Sequence, residues 1–266
     1  MSKDAPKDIA ATLTACLEEL YLPTMQAEFQ ALALQAQQES LSYPSYLLEL
    51  AERECQQRRQ KRTERLLKES RLPLANNLQT FDLKRLPAKV VQQVRTLLTG
   101  EFVQRQENVL LFGPPGSGKT HCCCALGQEL VRAGRRVLFT KCNALVQTLL
   151  LAKRDLTLKT VLRRLTNWDV LIIDDLGYVQ QSREEMEVLF TLLAERYERG
   201  SVLLTSNLPF SGWEAIFRDP MTTAAAIDRL VHHSVIIELN LPSYRAEQAK
   251  KARQNRTTPV AEEKET

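Results

Sequence analysis

The chain has 266 residues, 44% of them hydrophobic and 26% charged, with a formal net charge of +4. That length holds one α/β domain and a smaller appendage, and the charge is compatible with a nucleic-acid partner without requiring one. An aromatic content of 6% argues against stacking platforms for single-stranded nucleic acid, and no apolar run reaches the ~18 residues of a membrane span. The opening residues Met1-Ser2-Lys3-Asp4-Ala5-Pro6-Lys7-Asp8 lack the apolar region of a secretion signal, so a cytoplasmic location without membrane contact is expected.

Residues 1 to about 72 read as helical, a domain for binding a partner or DNA. Leu13, Leu17 and Leu20, then Met25, Phe29 and Leu32, recur at three- and four-residue steps, with Pro23 breaking the pattern. A further helix starts after Ser42 or Pro44 and carries the spacing on through Tyr46, Leu47, Leu50 and Cys55. It then becomes one-signed: Arg53, Arg58, Arg59, Lys61, Arg62, Arg65, Lys68 and Arg71 face only Glu54, Glu64 and Glu69. Arg58, Arg62 and Arg65 share a helical face, which suits either DNA phosphates or plain solvation. Leu72-Pro73-Leu74-Ala75-Asn76-Asn77 is a turn-rich boundary, and residues 73–245 read as the second domain. There Thr80-Phe81-Asp82 starts a linker, and one helix is expected from Pro87 to about Phe102.

The organising stretch follows. Val109-Leu110-Leu111-Phe112 reads as a buried parallel strand and runs into Gly113-Pro114-Pro115-Gly116-Ser117-Gly118-Lys119-Thr120, which fits G-x-x-x-x-G-K-[ST]. Gly116 and Gly118 let the backbone curl so that its N–H groups surround a phosphate at the N-terminus of the next helix. Lys119 can reach the β- and γ-phosphates of ATP, and the Thr120 hydroxyl can ligate Mg²⁺. Cys122-Cys123-Cys124 are consecutive on that helix, so they cannot converge on one ion and read as small buried residues.

The helix ends near Gly134, Val137–Thr140 forms a second strand, and a helix covers about Asn143 to Leu151. The basic stretch Lys153, Arg154, Lys159, Arg163 and Arg164 comes next. Val170-Leu171-Ile172-Ile173 is a buried strand ending in Asp174 and Asp175, at the strand end where such sheets bind ligands. Asp174 is placed to hold Mg²⁺ opposite Thr120, and Asp175 to orient or deprotonate the attacking water. A helix spans Arg183 to Arg199, and Ser201–Asn207 gives a further strand ending in an amide. Asn207 suits a contact to the γ-phosphate or the water, or a cap on the turn that follows. His232 and His233 precede the strand Val235–Leu239 and read as turn residues. The polar segment 246–266 is expected to be disordered.

Strand–helix alternation of this kind predicts a parallel sheet covered on both faces. At this point the chain resembles the AAA+ ATPases, and most closely the IstB-like helper ATPases of bacterial insertion sequences, which are similar to DnaC-type helicase loaders. The resemblance is carried by Gly113–Thr120 with His121 directly after it, by Leu171–Tyr178, by Thr205-Ser206-Asn207, and by Ala226–Leu230 and Ser243-Tyr244-Arg245. It implies a P-loop AAA+ fold of three layers behind a small all-α domain, with the C-terminal lid reduced or absent. It also implies an ATP-dependent homo-oligomer that coats or bends duplex DNA, with little sequence preference, and recruits a transposase. In that scheme His121 belongs to the nucleotide site, Arg229 resembles an arginine finger reaching the neighbouring subunit's site, and Arg245 resembles a sensor. A salt bridge to Asp228 or a helix carboxylate is the other reading of Arg229. Cys122 and Cys123 stand where the family has leucine and alanine. Asp175 stands where it has glutamate, which shortens the reach to water by one methylene and implies slow hydrolysis. A helicase loader and a nucleotide-dependent scaffold with little hydrolysis are the alternative functions.

Overall fold

The computed structural model describes residues 8–177, 182–213, 220–244 and 247, side chains at 220–223 and 226 excepted. The chain divides into two compact units at Arg65/Leu66.

The first unit holds α1 (Ile9–Glu19), α2 (Pro23–Gln38) and most of α3 (Tyr43–Ser70). Asp8 caps α1 by accepting the Ala10 and Ala11 N–H groups at 3.1 and 3.2 Å. Pro23 occupies the first turn of α2, where its missing N–H leaves nothing unpaired. The apolar steps converge, with Leu17, Phe29, Leu32 and Leu50 forming a small core. Leu22 precedes Pro23 and has no side chain able to cap α2, so α3 supplies the cap. The Glu54 carboxylate, only 3% exposed, accepts the N–H groups of Thr24 and Met25 at 2.8 and 3.1 Å. Burial raises the proton affinity of Glu54. The Arg58 guanidinium 2.7 Å away and the two amides outweigh it, so its pKa lies below the ordinary carboxylate value. Arg58 also donates to the Tyr21 carbonyl.

The second unit is built on one parallel sheet: β1 (Asn108–Phe112), β2 (Val137–Lys141), β3 (Val170–Leu176), β4 (Ser201–Ser206) and β5 (Ser234–Glu238), in the order β2-β3-β4-β1-β5. Its helices are α4 (Ala88–Leu98), α5 (Glu101–Gln104), α6 (Lys119–Arg132), α7 (Cys142–Arg154), α8 (Leu158–Thr166), α9 (Arg183–Arg196) and α10 (Pro220–Val231). Because strand side chains alternate, each strand feeds both faces. Leu110, Ile173 and Leu204 pack with residues of α7, α8 and α9, whereas Val109, Ile172 and Leu203 pack with α4 and α6. The result is three layers, the parallel sheet covered on both faces that the strand–helix alternation predicts. Cys122, Cys123 and Cys124 are all buried at 0% exposure, and burial pushes the Cys122 and Cys124 thiols up to about 12, which disfavours the reactive thiolate and suits packing residues.

Three boundaries differ from expectation. The helix expected from Pro87 to Phe102 is two, α4 and α5, because Gly100 adopts a left-handed conformation (φ 73°) that stops the first and admits the second. The basic stretch 153–164, given no element from sequence, holds most of a helix: Leu158, Val161, Leu162 and Leu165 recur at helical spacing and seat α8 on the core, with its charges outward. α9 ends at Arg196, which turns inward instead of continuing to Arg199.

The Glu54 cap yields a prediction. Glu54→Ala should destabilise the first turn of α2 by about 2 kcal/mol, read as roughly 30-fold faster amide exchange at Thr24 and Met25 in the full chain. Since the folded carboxylate has the lower pKa, its contribution is complete above the ordinary carboxylate range and fades as the pH falls through it. Wild type and variant should therefore converge in acid, and exchange profiles that stay parallel there would refute the cap.

Candidate nucleotide site

The Gly113–Thr120 segment connects the carboxyl end of β1 to α6. Gly116 has a φ of 79°, and a Cβ there would lie 2.2 Å from the Ser243 Oγ. At Gly113 (φ 150°) a Cβ would lie 2.3 Å from the Leu239 carbonyl oxygen. The chain after β5 is thus laid against the loop, and the Tyr244 N–H donates to the Gly116 carbonyl at 3.1 Å. Lys119 is 5% exposed and its ammonium donates to the Gly113 and Pro114 carbonyls at 2.7 and 2.9 Å. Burial lowers its pKa, while Asp175 and Asp174 act the other way.

The second half of the site comes from a β-bulge. Ile173 pairs with Leu204 and Leu176 with Ser206, so Asp174 and Asp175 together oppose the single residue Thr205. Asp175 takes up the extra residue with a left-handed backbone (φ 64°), which aspartate tolerates better than most residues. The two carboxylates consequently have different surroundings. Asp174 is 1% exposed, and its Oδ1 accepts the Thr120 hydroxyl at 2.8 Å and the Thr205 hydroxyl at 2.7 Å. Desolvation raises its pKa, and the two hydroxyls only partly offset this. The Asp175 side chain is 36% exposed; the residue's N–H donates to the Thr205 Oγ1 at 2.9 Å and its Oδ2 lies 3.5 Å from the Lys141 Nζ.

Asn207 follows β4 and lines the same cleft. The turn after it is capped not by Asn207 but by Ser206, whose Oγ accepts the Leu208 N–H and donates to the Leu176 carbonyl. The fully buried Trp213 fixes this turn, donating its indole N–H to the Leu208 carbonyl and packing against Phe112 and Phe210. His121 acts sideways. Its Nε2 lies 3.0 Å from the Asn77 carbonyl and 3.1 Å from the Thr80 hydroxyl, and its ring meets Phe81 at 5.0 Å. It thereby ties the 77–81 segment to the loop. The cleft bounded by these elements has a volume of about 960 Å³, and Phe81, Arg85 and Tyr244 line its flank.

The donor set fits a divalent cation of the Mg²⁺ kind. The Thr120 hydroxyl and a desolvated Asp174 carboxylate are hard oxygen donors 2.8 Å apart.

The other sequence candidates lie elsewhere. Arg229, in the last turn of α10, lines a cavity with Asn108 and His233 at the amino end of the sheet, opposite the phosphate loop. Among the described residues it makes no ion pair; its guanidinium lies over the Phe190 ring, 4.6 Å from the centroid. The other reading of Arg229, a salt bridge to Asp228 or a helix carboxylate, finds no such pair among the described residues. Arg245 falls outside the described residues. Lys153, Arg154, Lys159, Arg163 and Arg164 are all exposed on α7 and α8, and Lys153 pairs with Glu187 at 3.1 Å. Arg62 and Arg65 are exposed on α3, whereas Arg58 is engaged by Glu54. Two site residues were given no role from sequence, Thr205 and Lys141, because only the bulge and the β2–β3 register bring them to the carboxylates.

Comparison with known proteins adds the family. The model of the IstB-like ATP binding proteins matches residues 15–252. The chain belongs to this family. Similar members are a putative insertion sequence ATP-binding protein of Sinorhizobium fredii (strain NBRC 101917 / NGR234), 41% identical over 94% of this chain and 85% of that one, and the insertion sequence IS21 putative ATP-binding protein of Pseudomonas aeruginosa, 38% identical over 94% and 96%. Among solved structures, the DnaC helicase loader aligns with a TM-score of 0.54 at 17% identity over 62% of this chain and 97% of that one. AMPPCP-bound DnaA from Aquifex aeolicus aligns with 0.54 at 18% identity over 73% and 59%. These two likenesses establish the AAA+ fold of the IstB-like chain.

Thr205→Val removes one hydroxyl at nearly constant volume. Any ATP turnover should drop by about 10-fold, because the Asp175 N–H and Asp174 Oδ1 both lose their common partner. Nucleotide binding measured by fluorescence should change little, and an unaltered turnover would show that Thr205 does not order the carboxylates.

Proposed function

We propose that the chain is an ATP-hydrolysing, DNA-binding helper of transposition. With ATP it assembles on duplex DNA and recruits a transposase, and hydrolysis resets the assembly. The observation that carries the reading is the convergence of Lys119, Thr120, Asp174, Asp175 and Asn207 on one cleft at the carboxyl ends of a parallel sheet. The insertion-sequence names of relatives that match the chain over nearly its whole length support the transposition context.

In this reading the loop N–H groups from Gly113 to Thr120 cradle the phosphates, and the Lys119 ammonium moves from its own loop carbonyls to the β- and γ-oxygens. Thr120 and Asp174 hold Mg²⁺, which neutralises charge on the phosphates when bound. Asp175 is the more exposed carboxylate of the pair, so it is the one that can orient a water and take its proton. Asn207, free of the turn that follows it, donates its amide to the γ-phosphate or that water. Arg229 is too far round the sheet to serve its own cleft and acts in a neighbour's, which makes the working unit an oligomer. The exposed Lys153, Arg154, Lys159 and Arg163, with Arg62 and Arg65, contact DNA mostly through phosphates.

Hydrolysis is slow, since Asp175 has one methylene less than glutamate and Lys141 draws its carboxylate toward β2. Asp175→Asn should lower steady-state turnover by roughly 100-fold, and Asp175→Glu should raise it several-fold. Turnover per subunit should climb with protein concentration until assembly saturates. A constant specific activity down to concentrations where sedimentation shows monomers would rule out a shared site. Duplex binding should weaken steeply with salt and barely respond to sequence.

A further inference from the structure

Two arginines near the amino end of the sheet have opposite surroundings. Arg196 is 1% exposed, and its two terminal nitrogens donate to the carbonyls of Leu165, Trp168, Asp169 and Ser201 at 2.8 to 3.4 Å; only its Nε–H lacks an acceptor. Burial lowers its pKa to about 10. Such a side chain is spent on structure, closing the end of α8 onto the start of β4. A Cβ at Gly200 would lie 2.6 Å from its Nη2, so even the neighbouring residue is shaped around it.

Arg229 has none of this. Among the described residues no carboxylate and no carbonyl takes its N–H groups, and its buried Nη1 has no acceptor. It nevertheless has a defined place, over the face of Phe190 on α9 at 4.6 Å. Phe190 itself is held by the α7–α9 core. A ring face attracts a guanidinium without neutralising it and without occupying its in-plane donors. A carboxylate in the same position would do both. The cavity of about 320 Å³ that Arg229 lines contains Glu198, yet the two form no ion pair. The site therefore fixes the direction of the cation without neutralising its charge, and leaves the Nη1 donors unspent.

We propose that Phe190 is a positioning residue for Arg229, holding the guanidinium by cation–π contact so that it is presented to the anion it serves. The inference rests on the reading that Arg229 acts in a neighbouring subunit's nucleotide site, and it adds the residue that orients it. Phe190 touches neither nucleotide nor reacting atoms, so its effect runs through Arg229 alone.

A mixed-subunit assay separates the two claims. Full-length Lys119→Ala subunits, which cannot grip phosphate but carry Arg229, are mixed with Arg229→Ala subunits, which keep an intact phosphate loop, and ATP turnover is followed with duplex DNA present. The pair should regain turnover that neither shows alone. Adding Phe190→Leu to the Lys119→Ala subunit should then cut the restored turnover by roughly 3- to 10-fold with the KM for ATP unchanged. Phe190→Tyr in the same subunit should preserve it, because the ring face is kept. The same Phe190→Leu placed in the Arg229→Ala subunit should cost less, since no guanidinium is there to hold. If the unmodified pair fails to complement, the trans reading of Arg229 is wrong and the role of Phe190 goes with it. If the pair complements but Phe190→Leu costs the same in either subunit, or nothing in both, the role of Phe190 alone is overturned.

Discussion

The second unit depends on how one buried carboxylate is satisfied. Asp174 ends the apolar run of β3 almost without exposure, in a place where an ionised oxygen costs several kcal/mol unless it is paired or hydrogen-bonded. Its partners are two hydroxyls from two other segments, Thr120 at the start of α6 and Thr205 at the end of β4. Phosphate loop, β3 and β4 are thereby fixed to one oxygen. The same Thr205 hydroxyl receives the Asp175 N–H, so the second carboxylate takes its direction from the first. Two hydroxyls do not equal a cation, and the proton affinity of Asp174 stays raised. Lys119, across the loop, has its charge disfavoured by burial as well. A site with a strained anion and a strained cation side by side is one in which a metal-bound polyphosphate relieves both.

Around that point the elements are braced by further contacts. Ser206 and Trp213 fix the turn that follows Asn207, and His121 ties the 77–81 segment to the loop. Tyr244 closes onto Gly116 from the far end of the chain. The glycines matter here for what they exclude: at Gly113 and Gly116 any side chain would displace the segment after β5. Arg196, Arg229 and Arg58 show how differently one residue type is used. The first is consumed by carbonyls, the second is held by a ring face, and the third completes a buried helix cap with Glu54.

The sheet, its order of elements and the phosphate loop were legible in the sequence because they are written in local patterns. Val109–Phe112 and Val170–Ile173 are apolar on both faces, as buried parallel strands are, and G-x-x-x-x-G-K-T carries its own geometry. What was not legible depends on register or on distant partners. The bulge that splits Asp174 from Asp175 exists only in the pairing of β3 with β4, so the roles of Thr205 and Lys141 had no local sign. The α8 helix in the basic run 153–164 is only nine residues long, and its apolar stripe of Leu158, Val161, Leu162 and Leu165 is too short to mark a helix by itself. Gly100 and the Glu54 cap are similar cases, since a single left-handed residue or a partner 30 positions away changes an element without altering its periodicity.

The central claim is that Asp174 and Thr120 form a metal-dependent nucleotide site. The most direct test is equilibrium binding of a fluorescent, non-hydrolysable ATP analogue with Mg²⁺ and with chelator, to wild type and to Asp174→Asn. Wild-type affinity should rise by roughly tenfold or more with Mg²⁺, and the variant should lose that gain while keeping its metal-free binding. An equal Mg²⁺ gain in both proteins would contradict the account.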